Sequence, residues 1–174
     1  MQDESAVPLH CHEVVEELSP VARAAWGGFL RAYATIVRQL DAALMAEHNL
    51  SLSSLDVLSK LAAAPRGRLR MTELAQSVCL SPSGLTRLVD RLEHEQLIER
   101  HHCEHDGRGL YAAISERGRA KFQAAQVSHL AQVREQFLSK FSEAELAQLG
   151  AFWERLAPRI SPSLKKGDDE PFSR

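Results

Sequence analysis

Hydroxyl and guanidinium side chains are concentrated between positions 81 and 91, where Ser81, Ser83, Thr86, Arg87 and Arg91 stand with Asp90 among them. A hydroxyl can donate or accept a hydrogen bond, and a guanidinium presents a fixed fork of donors. Such a row can grip a phosphate or read the edge of a base. The spacing predicts a helix that displays it. Ser81 can accept from an orphan N–H of the first turn, and Pro82 sits where a missing N–H costs nothing. Leu85, Leu88, Val89 and Leu92 recur at i, i+3, i+4 and i+7 and form one apolar face. Ser83, Thr86, Arg87, Asp90 and Arg91 then share the opposite face. An ordinary solvated helix has the same pattern, so the neighbouring elements decide what the ridge is for.

Upstream, Thr72 can cap a short helix carrying Leu74, Ala75 and Val78, and Cys79 to Ser81 leaves room only for a tight turn. So short a link makes the two helices cross steeply. Downstream, Ile98 to Cys103 and Leu110 to Ile114 read as two strands around positions 104–109, where Gly107 and Gly109 permit a hairpin tip. Arg108 at that tip can enter a minor groove, with Asp106 placed to orient it. Helix, turn, helix and hairpin in this order make a winged helix-turn-helix, with Ser81, Ser83, Thr86, Arg87, Arg91 and Arg108 as the expected DNA contacts.

The expected fold is mainly α with a small β-hairpin wing: a winged lobe carried on a helical dimerisation frame. Ser19-Pro20 opens a first helix bearing Trp26, Phe29, Leu30, Tyr33, Val37, Leu40 and Leu44. Ser115 opens another, and Ser142 with Glu145 forms a capping box before a last helix with Leu146, Leu149, Phe152, Trp153 and Leu156. Helices of this length must bury their apolar faces, and a second copy of the chain is the economical cover, although an intramolecular bundle would also serve. The chain divides into an acidic N-terminal extension expected to be partly disordered (1–18), a dimerisation helix (19–50), the winged lobe (51–114), C-terminal dimerisation helices (115–160) and a polar tail (161–174), within one domain overall.

Taken together, the segments 80–92, Leu97-Ile98-Glu99-Arg100, Asp106-Gly107-Arg108 and Ile114-Ser115-Glu116-Arg117-Gly118 resemble the MarR-type transcriptional regulators over about positions 20–160. Ile114-Ser115 replaces the family's usual Leu-Thr, and Gly107 stands where the family often has a charged residue. The resemblance implies a homodimer joined through both terminal helical regions, reading a pseudo-palindromic operator in double-stranded DNA. It implies a repressor of its own and neighbouring genes, released when a small molecule, often an aromatic acid, binds between frame and lobe. Trp26, Phe29 and Tyr33 are the candidates to line that effector pocket, although the same stripe fits a plain core. Some members sense hydroperoxides through a cysteine or respond to metals. A redox- or metal-responsive regulator, or a winged module that binds protein rather than DNA, are the alternative readings.

Composition narrows the choice. A chain of 174 residues with 44% hydrophobic content suits one soluble domain, and it has neither a bilayer-length apolar run nor a signal pattern, so a cytoplasmic location is expected. The net charge is −2, yet positions 66–121 hold ten basic residues against eight acidic ones. His94, His101, His102 and His105 can add positive charge below neutral pH. Cys11, Cys79 and Cys103 are odd in number and scattered, which argues against a disulfide framework. Cys11 lies among acidic residues that disfavour a reactive thiolate. His10-Cys11-His12, positions 101–105 and Glu47-His48 with His129 contain ligand types for metals but lack a standard spacing, so no metal or cofactor is expected. No phosphate loop or nucleophile elbow is present, and no enzymatic activity is expected.

Overall fold

The computed structural model describes residues 18–78, 80–102 and 110–156. Among the described residues six α-helices and three strands follow in the order α1 (Pro20–His48), α2 (Leu52–Ala63), β1 (Arg68–Arg70), α3 (Met71–Ser77), α4 (Pro82–His94), β2 (Ile98–His102), β3 (Leu110–Ile114), α5 (Glu116–Gln136) and α6 (Glu143–Leu156). Serine hydroxyls set the helix starts, at Ser19, Ser81 and Ser115 as expected and at Ser51 in addition. Ser19, Ser51, Ser81 and Ser115 each accept a hydrogen bond from the backbone N–H three residues on. Glu145 reaches back to the Ser142 N–H at 2.8 Å, a bond that lowers its carboxyl below the usual range. At α3 the structure differs from expectation: the helix begins at Met71, so Thr72 lies inside it. The cap is built from Arg70, whose N–H donates to Glu73 at 3.0 Å.

The wing is a sheet of three strands, not a two-stranded hairpin alone, in the order β1-β3-β2 and antiparallel throughout. Between α2 and β1 the chain turns through Arg66 and Gly67, both with positive φ. Leu69, flanked by arginines, turns inward and packs against the core.

The core belongs to the lobe. Leu58, Leu61, Leu74, Leu85, Leu92, Leu97 and Ile98 are sealed from solvent together, and α5 adds Phe122 and Ala125. Of the long α1 helix only Leu40 and Leu44 are buried, and α6 buries nothing. Among the described residues no helix is long and apolar enough to cross a membrane.

At the start of α5 the Ser115 N–H donates to Leu97 O at 3.1 Å, and its hydroxyl donates to Gln96 O at 2.7 Å. The first turn of α5 is thereby fastened to the corner between α4 and β2. Gly118 faces that corner, where a Cβ would lie 1.9 Å from Leu97 O.

Candidate nucleic-acid interface

Helix α4 presents the ridge that its sequence requires. Leu85, Leu88, Val89 and Leu92 are buried, while Ser81, Ser83, Thr86, Arg87, Asp90 and Arg91 are exposed. Ser81 Oγ accepts from the Gly84 N–H at 3.2 Å and lies 3.4 Å from Ser83 Oγ. The Thr86 hydroxyl donates to Pro82 O at 3.0 Å. With its proton engaged, Thr86 presents lone pairs outward and suits a base amino group as partner. Arg87 makes no hydrogen bond or ion pair with another described residue and stays available to an external acceptor.

Two neighbours on the same ridge are engaged within the chain. Asp90 accepts from Arg100 of β2, and the same guanidinium reaches Glu93 Oε2 at 3.2 Å. Arg100 is mostly withdrawn from solvent, and its Nε has no partner among the described residues. Arg91, also expected among the DNA contacts, is tied to another helix of the chain. Its Nη2 donates to Ser51 Oγ at 3.1 Å and Ser54 Oγ at 2.8 Å at the start of α2. Beside it a groove of about 320 Å³ runs between the start of α2 and α4, lined by Ser51, Ser53, Leu80, Arg87 and Arg91 among others.

The outer face of the sheet carries a group that sequence reasoning missed. Strand register sets Arg70, Tyr111 and His101 in one row. The guanidinium groups of Arg68 and Arg70 lie 5.6 and 5.4 Å from the centre of the Tyr111 ring, and Arg70 Nε donates to the Tyr111 hydroxyl at 2.8 Å. The available signal was two arginines flanking a partly buried leucine, which is strand alternation over too few residues to stand out.

Arg108 and Asp106, the expected wing contact and its support, lie outside the described residues, as do Cys11, Cys79, Cys103, His10, His12 and His105. His94 and His101 are exposed, and His101 Nε2 is 3.3 Å from Glu99 Oε2.

On α1 the candidate effector residues form an aromatic row on the helix surface. Trp26 and Phe29 stack with centroids 5.8 Å apart, Phe29 and Tyr33 with centroids 6.3 Å apart, and Trp153 of α6 meets Phe29 at 5.6 Å. They are 47, 41, 61 and 41% exposed in the order Trp26, Phe29, Tyr33 and Trp153, so within one chain the stripe is not core.

At the other end of α1, His48 hydrogen-bonds Ser128 of α5 and lies 3.8 Å from Glu47 Oε1. Among the described residues no three His, Cys, Asp or Glu side chains gather as a metal site would require. Burial holds His129 below the ordinary histidine value of 6.5, and its Nδ1 is enclosed with no partner among the described residues. A base with a depressed folded pKa binds fewer protons folded than unfolded. Its contribution to stability is therefore intact above the unfolded value and is lost as pH falls below it. Melting temperatures followed from about pH 7.5 to about pH 5 are expected to fall more steeply for the wild type than for His129→Leu. Parallel profiles would show that the ring is solvated.

Comparison with known proteins agrees with this geometry. Residues 50–110 match the profile of the MarR family. The HTH-type transcriptional repressor MdtR of Bacillus subtilis (strain 168) is 29% identical over 122 residues, spanning 70% of this chain and 77% of that protein. Two solved structures from Streptomyces coelicolor superpose closely. Sco3205, a MarR family transcriptional regulator solved in complex with DNA, has a TM-score of 0.78 at 28% identity, covering 84% of this chain and 91% of its own. AbsC, of the same family, has a TM-score of 0.76 at 28% identity, covering 80% and 94%.

Proposed function

The chain belongs to the MarR family of winged helix-turn-helix, DNA-binding transcriptional regulators, and from that premise we propose that it is a homodimeric repressor of its own and neighbouring genes. The observation that carries the reading is the exposed ridge of α4, where Ser83 in the capped first turn and Thr86 and Arg87 just after it face outward, with Arg87 uncommitted. Ser83, Thr86 and Arg87 read base edges in the major groove. Ser81 and the helix N-terminus favour a phosphate, and Arg108 serves the minor groove with Asp106 orienting it.

The twofold arrangement is supported by the apolar surface of the frame. Helix α6 has fourteen residues and buries none of them, and the row Trp26, Phe29, Tyr33 and Trp153 lies open beside it. A second copy covers these faces and sets two recognition helices on one side of the duplex, about one helical turn apart. The effector is a small aromatic acid taken up where Trp26, Phe29 and Tyr33 meet the partner. It releases DNA by binding the DNA-incompetent spacing of the lobes more tightly. The protein acts in the cytoplasm, where its operator is.

Fluorescence anisotropy on the duplex upstream of its own gene, against a scrambled duplex across a salt series, tests the reading. Preference for the upstream duplex by about a thousandfold is expected. Arg87→Ala is expected to cost about 1–3 kcal/mol and to relax the preference at one base position in each half-site. Equal losses on both duplexes would show that Arg87 touches only the backbone.

A further inference from the structure

We propose that Arg91 is a positioning residue: it fixes the rotation of the recognition helix by tying it to the start of α2, and it does not itself contact DNA. The inference rests on the DNA-binding reading and changes the part played by one residue of the ridge.

The tie is a small closed network. Ser51 caps α2 by accepting from the Ser54 N–H at 3.1 Å, and the two serine hydroxyls are 2.7 Å apart. Arg91 Nη2 donates to both oxygens, at 3.1 and 2.8 Å. Ser54 is 1% exposed, the one buried polar side chain among the described residues, so its oxygen meets little water and holds the guanidinium instead. Among the described residues no other hydrogen bond joins α4 to the start of α2. The groove between the start of α2 and α4 is open, and Arg91 spans it.

On its other flank α4 is held by Arg100, which reaches Asp90 and Glu93. Asp90 and Arg91 are adjacent and so project about 100° apart around the helix axis. One tie leads to the wing and the other to α2, and together they oppose rotation in either sense. The tolerance is small. A turn of about 20° moves a side-chain tip at a radius of about 6 Å by about 2 Å, enough to break a bidentate contact from Arg87 to a base.

The test uses the full chain as wild type, Arg91→Met, Ser54→Ala and the double variant, each shown to be folded by circular dichroism. Arg91→Met keeps an apolar stem on an exposed position, so it does not depend on the tolerance of the core. Anisotropy is measured on the upstream and scrambled duplexes across a salt series. Both single variants are expected to reduce the preference for the upstream duplex by about tenfold. Affinity for the scrambled duplex and the salt slope are expected to stay at wild-type values. The double variant should be no worse than the poorer single one, because both substitutions cut the same tie.

A salt slope lower by about one on both duplexes for Arg91→Met would overturn the proposal in favour of a phosphate contact. So would a loss of preference in Arg91→Met that Ser54→Ala does not share, which would make Arg91 a base reader. Failure of the DNA reading shows in the wild type alone, as equal or absent binding to both duplexes, and overturns this assignment with it.

Discussion

Gly118→Ala is expected to destabilise the chain by about 3 kcal/mol or more, placing it among the most damaging single substitutions available. The added Cβ would lie 1.9 Å from Leu97 O, 2.8 Å from Leu97 C and 3.1 Å from Ile114 Cγ1. Two of these are backbone atoms of a buried residue, so no side-chain rotation can relieve the clash. The first turn of α5 must instead lift from the corner between α4 and β2, straining the Ser115 N–H bond to Leu97 O. Alanine's better helix propensity returns about 1 kcal/mol, too little to change the sign. For a chain of this size the melting temperature should drop by roughly 6–12 °C. A variant melting within a degree of wild type would show that the close approach is not there.

The double variant Phe29→Glu with Trp153→Glu should leave a chain that is monomeric at micromolar concentration and binds its operator at least about a hundredfold more weakly. Phe29 sits at the middle of the aromatic row and touches Trp26, Tyr33 and Trp153. All four are substantially exposed in the single chain, so the carboxylates add little strain to a monomer. Against a partner's apolar face the same charges would be desolvated without a counter-ion, at a cost of several kcal/mol. Two weakly binding lobes held together gain affinity as an intramolecular pair, and separated lobes lose that gain. Light scattering gives the mass, and anisotropy on the upstream duplex gives the affinity. A double variant that stays dimeric would move the interface away from this row.

What could be read from the sequence is what depends on nearby residues. Ser19, Ser81, Ser115 and Ser142 mark helix starts because a cap bonds within one turn, and Leu85, Leu88, Val89 and Leu92 reveal a face because helical spacing is local. The family resemblance rested on the same stretches. What stayed hidden depends on distance along the chain. Arg91 meets serines 37 and 40 residues earlier, Arg70 meets a tyrosine 41 residues later, and Phe29 meets Trp153 from the opposite end of the chain. β1 was missed because three residues carry too little alternation to declare a strand. The place of Thr72 was misjudged because a hydroxyl is the usual cap, whereas here Arg70 offers its backbone N–H to Glu73.

The bond from Arg100 to Asp90 and Glu93 has a consequence for how such a protein can be tuned. It welds the strand that leads into the wing to α4, the proposed reader of the major groove. Each lobe is therefore a stiff reading head whose alphabet is fixed when the chain folds. In the proposed dimer, an effector acting on the frame would change the gauge between two heads, and so alter which spacer lengths an operator can have while leaving the preferred letters of each half-site as they were.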